Sequence, residues 1–224
     1  MANTDLLDKG AILQRDKQTY AIAPHLPGGI CNAATLRKLA DVAEKYHAAA
    51  LKVTGAQRIA IVGLKPEDLD NAWKDLGLSP GAAVGMCVRS IKVCPGTTFC
   101  KRGIQDSVTL GLALDKSYHG LSTPSKFKIG VSGCANNCGE AWLKDLGFFG
   151  TVKGFTCVVG GEAGRTPRIA RQLTTGLTID QCKALADKII NYYRENAQPR
   201  ERMGAFIERI NFETFAKDVL GEYV

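Results

Sequence analysis

Between residues 10 and 24, AILQRDKQTYAIAP carries two short hydrophobic runs on either side of the polar turn Arg15-Asp16-Lys17. That pattern predicts two short paired strands. After the breaker Pro27-Gly28-Gly29 the pattern changes: Asn32 stands as an N-cap, and Leu36, Leu39, Ala40 and Ala43 recur at helical spacing. LKVTGAQRIAIVG alternates around Gly55 and predicts a hairpin, and Lys65-Pro66-Glu67 opens a second helix over DLDNAWKDLG. The order β, β, α, β, β, α describes a small α+β unit with an antiparallel sheet over residues 1–78, closed by SPGA as a linker.

A second domain is expected over 79–224. It begins with a strand-like MCVRSIKV, a helix from about Lys101 to Leu114 and a strand from Lys126 to Ser132. The amphipathic AWLKDLG, the strand-like FFGTVKGFTCVVGG and the loop GGEAGRTPRIA follow. Two helices, Asp180 to Glu195 and Glu201 to Val219, close the chain around the break AQPR.

With 45% hydrophobic and 23% charged residues, the 224-residue chain has the composition of a soluble globular protein. It holds no apolar run near the roughly 20 residues of a membrane helix, and MANTDLLDKG lacks the regions of a signal peptide, so a cytoplasmic location is expected. The formal charge of +7 predicts an anionic partner. Its basic residues occur singly beside glycine and proline, as in GAQRI, CVRSIK, CKRG and GRTPRI, with no Lys/Arg block and no RNP1-type motif. That distribution points to a small or cofactor anion and away from nucleic acid.

Eight cysteines without an export signal argue against a disulfide framework. Cys31, Cys87, Cys157 and Cys182 stand alone in apolar or helical settings and read as small buried hydrophobes. The other four form two pairs: Cys94 and Cys100 in VCPGTTFC, Cys134 and Cys138 in SGCANNCG. These spacings depart from the C-x2-C knuckle of structural zinc, whereas a 4Fe-4S cluster takes four thiolates at more varied spacing; zinc and plain buried cysteines stay open beside it. Lys126, Lys128, Gly130 and Ser132 share one face of their strand, opposite Phe127, Ile129 and Val131. Alone, that face reads equally as a solvated edge; beside the cysteines it reads as an anion site. A strand would carry Arg89, five residues before Cys94, towards the cysteines; Thr54, Gln57, Arg58, Arg165 and Arg168 are donors beside glycines that each read alone as a surface turn, while several such loops in one chain suit a large ligand. His47 and His119 receive no role, and His25 directly precedes LPGG.

Five segments together resemble the nitrite and sulfite reductase family that couples sirohaem to a 4Fe-4S cluster: LPGGI at 26–30, KVTGAQR at 52–58, VRSIKVCPGTTFC at 88–100, KFKIGVSGCANNC at 126–138 and the GG…GRTPRI loop at 160–169. The resemblance implies an α+β fold, with a small ferredoxin-like antiparallel half-domain followed by an α/β sirohaem and 4Fe-4S domain with C-terminal helices. It implies that Cys94, Cys100, Cys134 and Cys138 hold the cluster and that Cys138 bridges to the sirohaem iron. Arg89, Lys126 and Lys128 would bind the oxyanion. Lys52, Thr54, Gln57, Arg58, Asn136, Arg165 and Arg168 would hold sirohaem. The implied activity takes sulfite to sulfide with six electrons from a separate carrier such as ferredoxin; nitrite reduction to ammonia is the near alternative, and a non-catalytic 4Fe-4S electron-transfer protein the rival class. Two departures stand out. His25 occupies a place where the family commonly has arginine, and the chain has one module where full-length family enzymes have two. A single module can rebuild the two-module arrangement by pairing about a two-fold axis, so a homodimer or larger homo-oligomer is expected, with both residue sets converging within one chain as the competing arrangement.

Overall fold

The alternating segments of the first third pair as β1 (Ala11–Leu13), β2 (Tyr20–Ile22), β3 (Ala50–Val53) and β4 (Ile59–Leu64), an antiparallel sheet in the order β1-β2-β4-β3. In the computed structural model, which describes residues 4–221, this sheet belongs to the first of two units, Met1–Gly85 and Met86–Val224. Helix α1 (Ala33–Lys45) starts at Asn32, whose side chain accepts from the Thr35 N–H, and α2 (Leu69–Leu76) ends at Gly77 in the left-handed region at φ 57°. Their inward residues Leu39, Leu69 and Leu76 bury with Ile22, Ile61 and Leu64 of the sheet. Residues 79–81 are held within this unit: the His25 N–H donates to the Ser79 carbonyl and the Gly81 N–H to that of Ala23, both at 2.8 Å.

The second unit is a five-stranded sheet in the order β5-β6-β7-β8-β9. Its strands are β5 (Lys92–Val93), β6 (Ile129–Ser132), β7 (Leu146–Thr151), β8 (Gly154–Val159) and β9 (Arg171–Leu177). The first three run parallel and the last three antiparallel. Helices α3 (Gly96–Phe99) and α4 (Ser107–Tyr118) lie in the crossover from β5 to β6, and α5 (Ile179–Asn196), α6 (Met203–Ile210) and α7 (Phe212–Leu220) close the chain. One core joins Phe127, Ile129 and Val131 to Phe148, Tyr193 and Phe206, each buried, with tilted ring contacts at 5.3 Å (Phe127–Tyr193) and 5.7 Å (Tyr193–Phe206). Side chains of that size contribute roughly 1.5–3 kcal/mol each on full burial.

Several elements differ from their sequence pattern. The helix expected from Lys101 starts at Ser107, because the Asp106 carboxylate caps it by accepting from the Thr109 N–H, while residues 100–103 turn back with the Gly103 N–H on the Cys100 carbonyl. FFGTVKGFTCVVGG is a hairpin and not one strand, turning between Thr151 and Gly154, the latter at φ 122°. AWLKDLG forms only a single 3-10 turn at Ala141–Leu143 before β7 begins. The last expected helix breaks at Asn211 (φ 73°), whose side chain then caps α7 by accepting from the Glu213 N–H. Among the described residues, no helix is long and apolar enough to cross a membrane.

Candidate functional site

Lys92 and Val93 of β5 lie in parallel register with Gly130 and Val131 of β6. Cys94 therefore leaves the carboxyl end of one strand where Gly133-Cys134 leaves the carboxyl end of its neighbour, the edge at which sheets of this kind bind ligands. The Cys94 N–H donates to the Val131 carbonyl at 3.0 Å, its buried sulfur accepts from the Gly133 N–H at 3.0 Å, and its carbonyl accepts from the Ser107 hydroxyl at 2.9 Å. The Gly133 carbonyl in turn accepts from the Ile104 and Gln105 N–H groups, both at 2.9 Å. Glycine is required here, since a Cβ on Gly133 would lie 2.6 Å from Gly96 Cα and 2.7 Å from the Gln105 carbonyl oxygen. Backbone contact thus joins the two cysteine-bearing loops.

All four cysteines are free thiols, with Cys94 buried, Cys100 and Cys134 half-buried and Cys138 exposed. The backbone N–H directed at the Cys94 sulfur suits a thiolate ligand, because it stabilises the thiolate charge. Among the described residues, no three His, Cys, Asp or Glu side chains converge tightly enough for a single metal ion. A cubane spreads its four ligand sulfurs more widely than one ion does, and two facing loops suit it better than a zinc knuckle.

After Cys138 the chain folds back along β6. The Gly139 N–H donates to the Ser132 hydroxyl at 2.8 Å, and a Cβ on Gly130 would lie 2.6 Å from the Gly139 carbonyl and 2.8 Å from Lys144 Cγ. Two non-glycine residues in left-handed conformation make the fold-back, Asn137 (φ 56°) and Glu140 (φ 59°). The Asn137 side chain accepts from the Ala141 N–H at 2.7 Å. Lys144 at 2.8 Å and Lys92 at 2.5 Å hold the Glu140 carboxylate, and their hydrogen bonds draw its pKa down to about 2. The fold-back therefore runs along the face that carries Lys126 and Lys128.

That face is strongly cationic. The Lys128 N–H donates at 2.8 Å to the buried Asp145 carboxylate, which also accepts two hydrogen bonds from Arg202, at 3.0 and 2.8 Å. Burial depresses the Lys128 pKa below the usual lysine range, and the charges of Lys144, Arg202 and Lys126 lower it further. Arg89, whose N–H donates to the Phe127 carbonyl at 2.8 Å, is likewise lowered by burial and by Arg202, with Cys87 opposing. Lys144 and Arg202 are already ion-paired, with Glu140 and with Asp145 and Glu162, but the positive charges around Lys128 still outweigh Asp145, and a bound anion would relieve the repulsion there. Sequence reading missed Asp145 and Arg202: 57 positions separate them, and no local spacing signals the pair.

The remaining sequence-predicted residues fall into two loop systems. In the first unit, Lys52 is exposed on β3, and the Thr54–Arg58 turn closes through the Thr54 N–H on the Arg58 carbonyl at 2.8 Å, with Gln57 at φ 56°. Gly29 of the LPGGI segment packs on this turn, where its Cβ would lie 2.7 Å from Gln57 Cβ. Arg58 is buried and donates to the Gly81 carbonyl; His25 is half-buried. In the second unit, Asn136 and Arg165 are exposed. Arg168 is tied to Glu208 by two hydrogen bonds, at 2.7 and 2.9 Å, and to Glu162 at 2.5 Å.

Family comparison assigns each stretch. Residues 84–224 match the nitrite and sulphite reductase 4Fe-4S domain, and residues 12–78 match the nitrite/sulfite reductase ferredoxin-like half domain. The chain belongs to the nitrite and sulfite reductase family and is an oxidoreductase. Among its relatives, an assimilatory-type sulfite reductase of Nitratidesulfovibrio vulgaris is 43% identical over 213 residues, covering 95% of this chain and 98% of that protein. A Bacillus subtilis nitrite reductase [NAD(P)H] is 42% identical over 200 residues, which is 89% of this chain but 25% of that protein. The fold matches that of dissimilatory sulfite reductase I with a TM-score of 0.81 at 15% identity, over 92% of this chain and 70% of that one. The NirA protein of Mycobacterium tuberculosis gives 0.80 at 18% identity, over 92% and 40%.

Proposed function

We propose that this protein is a sulfite reductase that holds sirohaem beside a 4Fe-4S cluster and takes sulfite to sulfide with six electrons from an external carrier. The observation that carries this reading is the fold-back of the Cys138-Gly139 segment along the face of β6 that presents Lys126 and Lys128. On this reading a thiol of the cluster set comes beside the lysines that would bind the anion. Sirohaem, when bound, supplies the iron at which the anion is reduced, and the cluster supplies electrons to it. The chain's own residues do the rest. Arg89, Lys126 and Lys128 bind the oxyanion and stabilise the charge that develops as its oxygens depart, and the lysines deliver protons to those oxygens. Asp145, itself held by Arg202, keeps the Lys128 backbone in place. Cys94, Cys100, Cys134 and Cys138 would hold the cluster, and Cys138 would be the thiol it shares with sirohaem.

The carboxylates of sirohaem are assigned to Lys52, Thr54, Gln57, Arg58, Asn136, Arg165 and Arg168. Arg165 leads this set, because it is exposed and makes no ion pair among the described residues, whereas Arg58 and Arg168 already have carbonyl or carboxylate partners. His25 stands where the family commonly has arginine and is the candidate for that position's role. Sulfite is favoured by the 43% identity to a sulfite reductase matched along 98% of its length, and nitrite by the 42% identity to a nitrite reductase. The protein works in the cytoplasm, as a homodimer, with a ferredoxin-type donor.

The test is the absorption spectrum of the purified protein followed by rates with each anion and reduced methyl viologen. A Soret band with visible bands, lost or shifted in Cys138→Ser and kept in Cys182→Ser, is the expected result, with sulfite turned over faster than nitrite. A broad iron–sulfur shoulder alone would reduce the protein to an electron carrier.

A further inference from the structure

Three of the most exposed apolar side chains of the second unit lie around the first cysteine loop: Phe99 (71% exposed), Ile104 (46%) and Val152 (90%). The segments that carry them are joined. The Gly103 N–H donates to the Cys100 carbonyl at 2.9 Å, closing the 100–103 turn, and the Gln105 side chain donates to the Thr151 carbonyl at 2.9 Å, fastening that turn to the tip of the β7–β8 hairpin. Lys101, Arg102 and Lys153 are exposed on the same two turns, and among the described residues none of them forms an ion pair. The nearby carboxylate of Asp106 is committed to the start of α4, accepting from the Thr109 N–H at 3.0 Å and its hydroxyl at 2.6 Å. Three exposed apolar side chains and three cations that form no ion pair among the described residues thus lie on joined turns, one of which carries Cys100.

We propose that this patch is the docking surface for an acidic one-electron carrier protein of the ferredoxin type. The inference rests on the reading of the four cysteines as cluster ligands. Exposed rings on a soluble surface mark contact sites, and free cations around them select an acidic partner by steering and by rejecting basic ones. The loop that carries the patch also carries Cys100, and the Gly133 contacts at its base join it to the Cys94 and Cys134 segments, so a protein seated here would lie against the loops that would hold the cluster. Each docking passes one electron: the carrier leaves oxidised by one electron and the cluster is reduced by one. Six visits supply one sulfite. A contact used this way needs to be small and short-lived, as electron-transfer interfaces are.

The experiment compares the holoprotein with the triple variant Lys101→Glu/Arg102→Glu/Lys153→Glu and, separately, with Phe99→Ser/Val152→Ser. An acidic reduced [2Fe-2S] ferredoxin and reduced methyl viologen serve as donors, and calorimetric titration with the oxidised ferredoxin reads binding without turnover. The charge variant is expected to raise the ferredoxin KM and Kd at least about tenfold, while the viologen-linked rate and the absorption spectrum stay as in the parent. The apolar variant is expected to weaken ferredoxin binding without changing its salt dependence. Unchanged ferredoxin KM and Kd in both variants would overturn the proposal, and so would a parent protein that does not bind the ferredoxin at all. Equal loss of both donor activities with loss of cluster absorption would make the residues structural, and a shift from dimer to monomer in sedimentation would make the patch a contact between copies; either overturns it. Ferredoxin binding that is lost in the variant, in a protein with no sirohaem band, would uphold the docking surface while removing the enzymatic reading.

Discussion

Lys128 is held where burial and then Lys144, Arg202 and Lys126 all disfavour its charge, so it gives up its proton at lower pH than an ordinary lysine. An oxyanion binds the protonated form, and the KM for sulfite is therefore expected to rise with pH on the alkaline side, below the usual lysine range. Lys144→Met removes one repelling charge, raises the Lys128 pKa and moves that rise to higher pH; a rise that stays in place would show that another group controls it. Lys128→Ala is expected to lower turnover about 10²–10³-fold with an unchanged visible spectrum, the scale of removing one preorganised donor from developing charge. Loss of sirohaem from that variant would place the residue among the cofactor ligands. At this scale the sequence was legible where chemistry is local: the two lysines and two of the cysteines lie on one continuous segment, and alternation alone put Phe127, Ile129 and Val131 on the buried face. Asp145 and Arg202 were invisible, because an aspartate before a strand and an arginine before a helix acquire meaning only when the fold brings them together.

The cysteine loops depend on glycine more than on any side chain. In Gly133→Ala the new Cβ would meet Gly96 Cα and the Gln105 carbonyl, both backbone, so the loops must part. Overpacking of this kind costs about 1–3 kcal/mol. The expected outcome is a lower iron content per chain; full iron and an unaltered spectrum would mean that the loops can separate without losing the cluster. Thr178→Ala removes the capping box of α5, in which Thr178 and Gln181 satisfy each other's N–H groups, and is expected to cost about 1 kcal/mol in urea unfolding while leaving the spectrum intact. Elements with strong local signals were readable, as α1 was from Asn32 and its helical repeat. The start of α4 was misplaced because Lys101 and Arg102 tolerate helix, whereas the packing of Gly103 on Gly96 turns the chain there and the Asp106 cap starts the helix later. Strand β9 was missed: Arg171–Leu177 mixes polar and apolar positions on a largely exposed strand, and pairing with β8 sets its conformation.

At the scale of the whole molecule, the five matching segments made the α+β family legible before any coordinates, since their order and spacing are far more specific than composition. The number of chains in a working site was not legible, because one module carries both the basic residues and the cysteines. With the proposed two-fold pairing, Arg89, Lys126 and Lys128 of one chain face the sirohaem held by Cys138 of the other. Co-refolding of inactive Lys128→Ala chains with inactive Cys138→Ser chains then restores one site in each mixed dimer. A fully active monomer in sedimentation at assay concentration would end that arrangement and place both sets in one chain. The central claim, a sulfite reductase built from this single chain, is tested most directly by counting electrons against product. Purified protein given sulfite and reduced methyl viologen is predicted to oxidise six viologens for each sulfide released. Protein with full sirohaem and cluster content that consumes viologen without forming sulfide would contradict it.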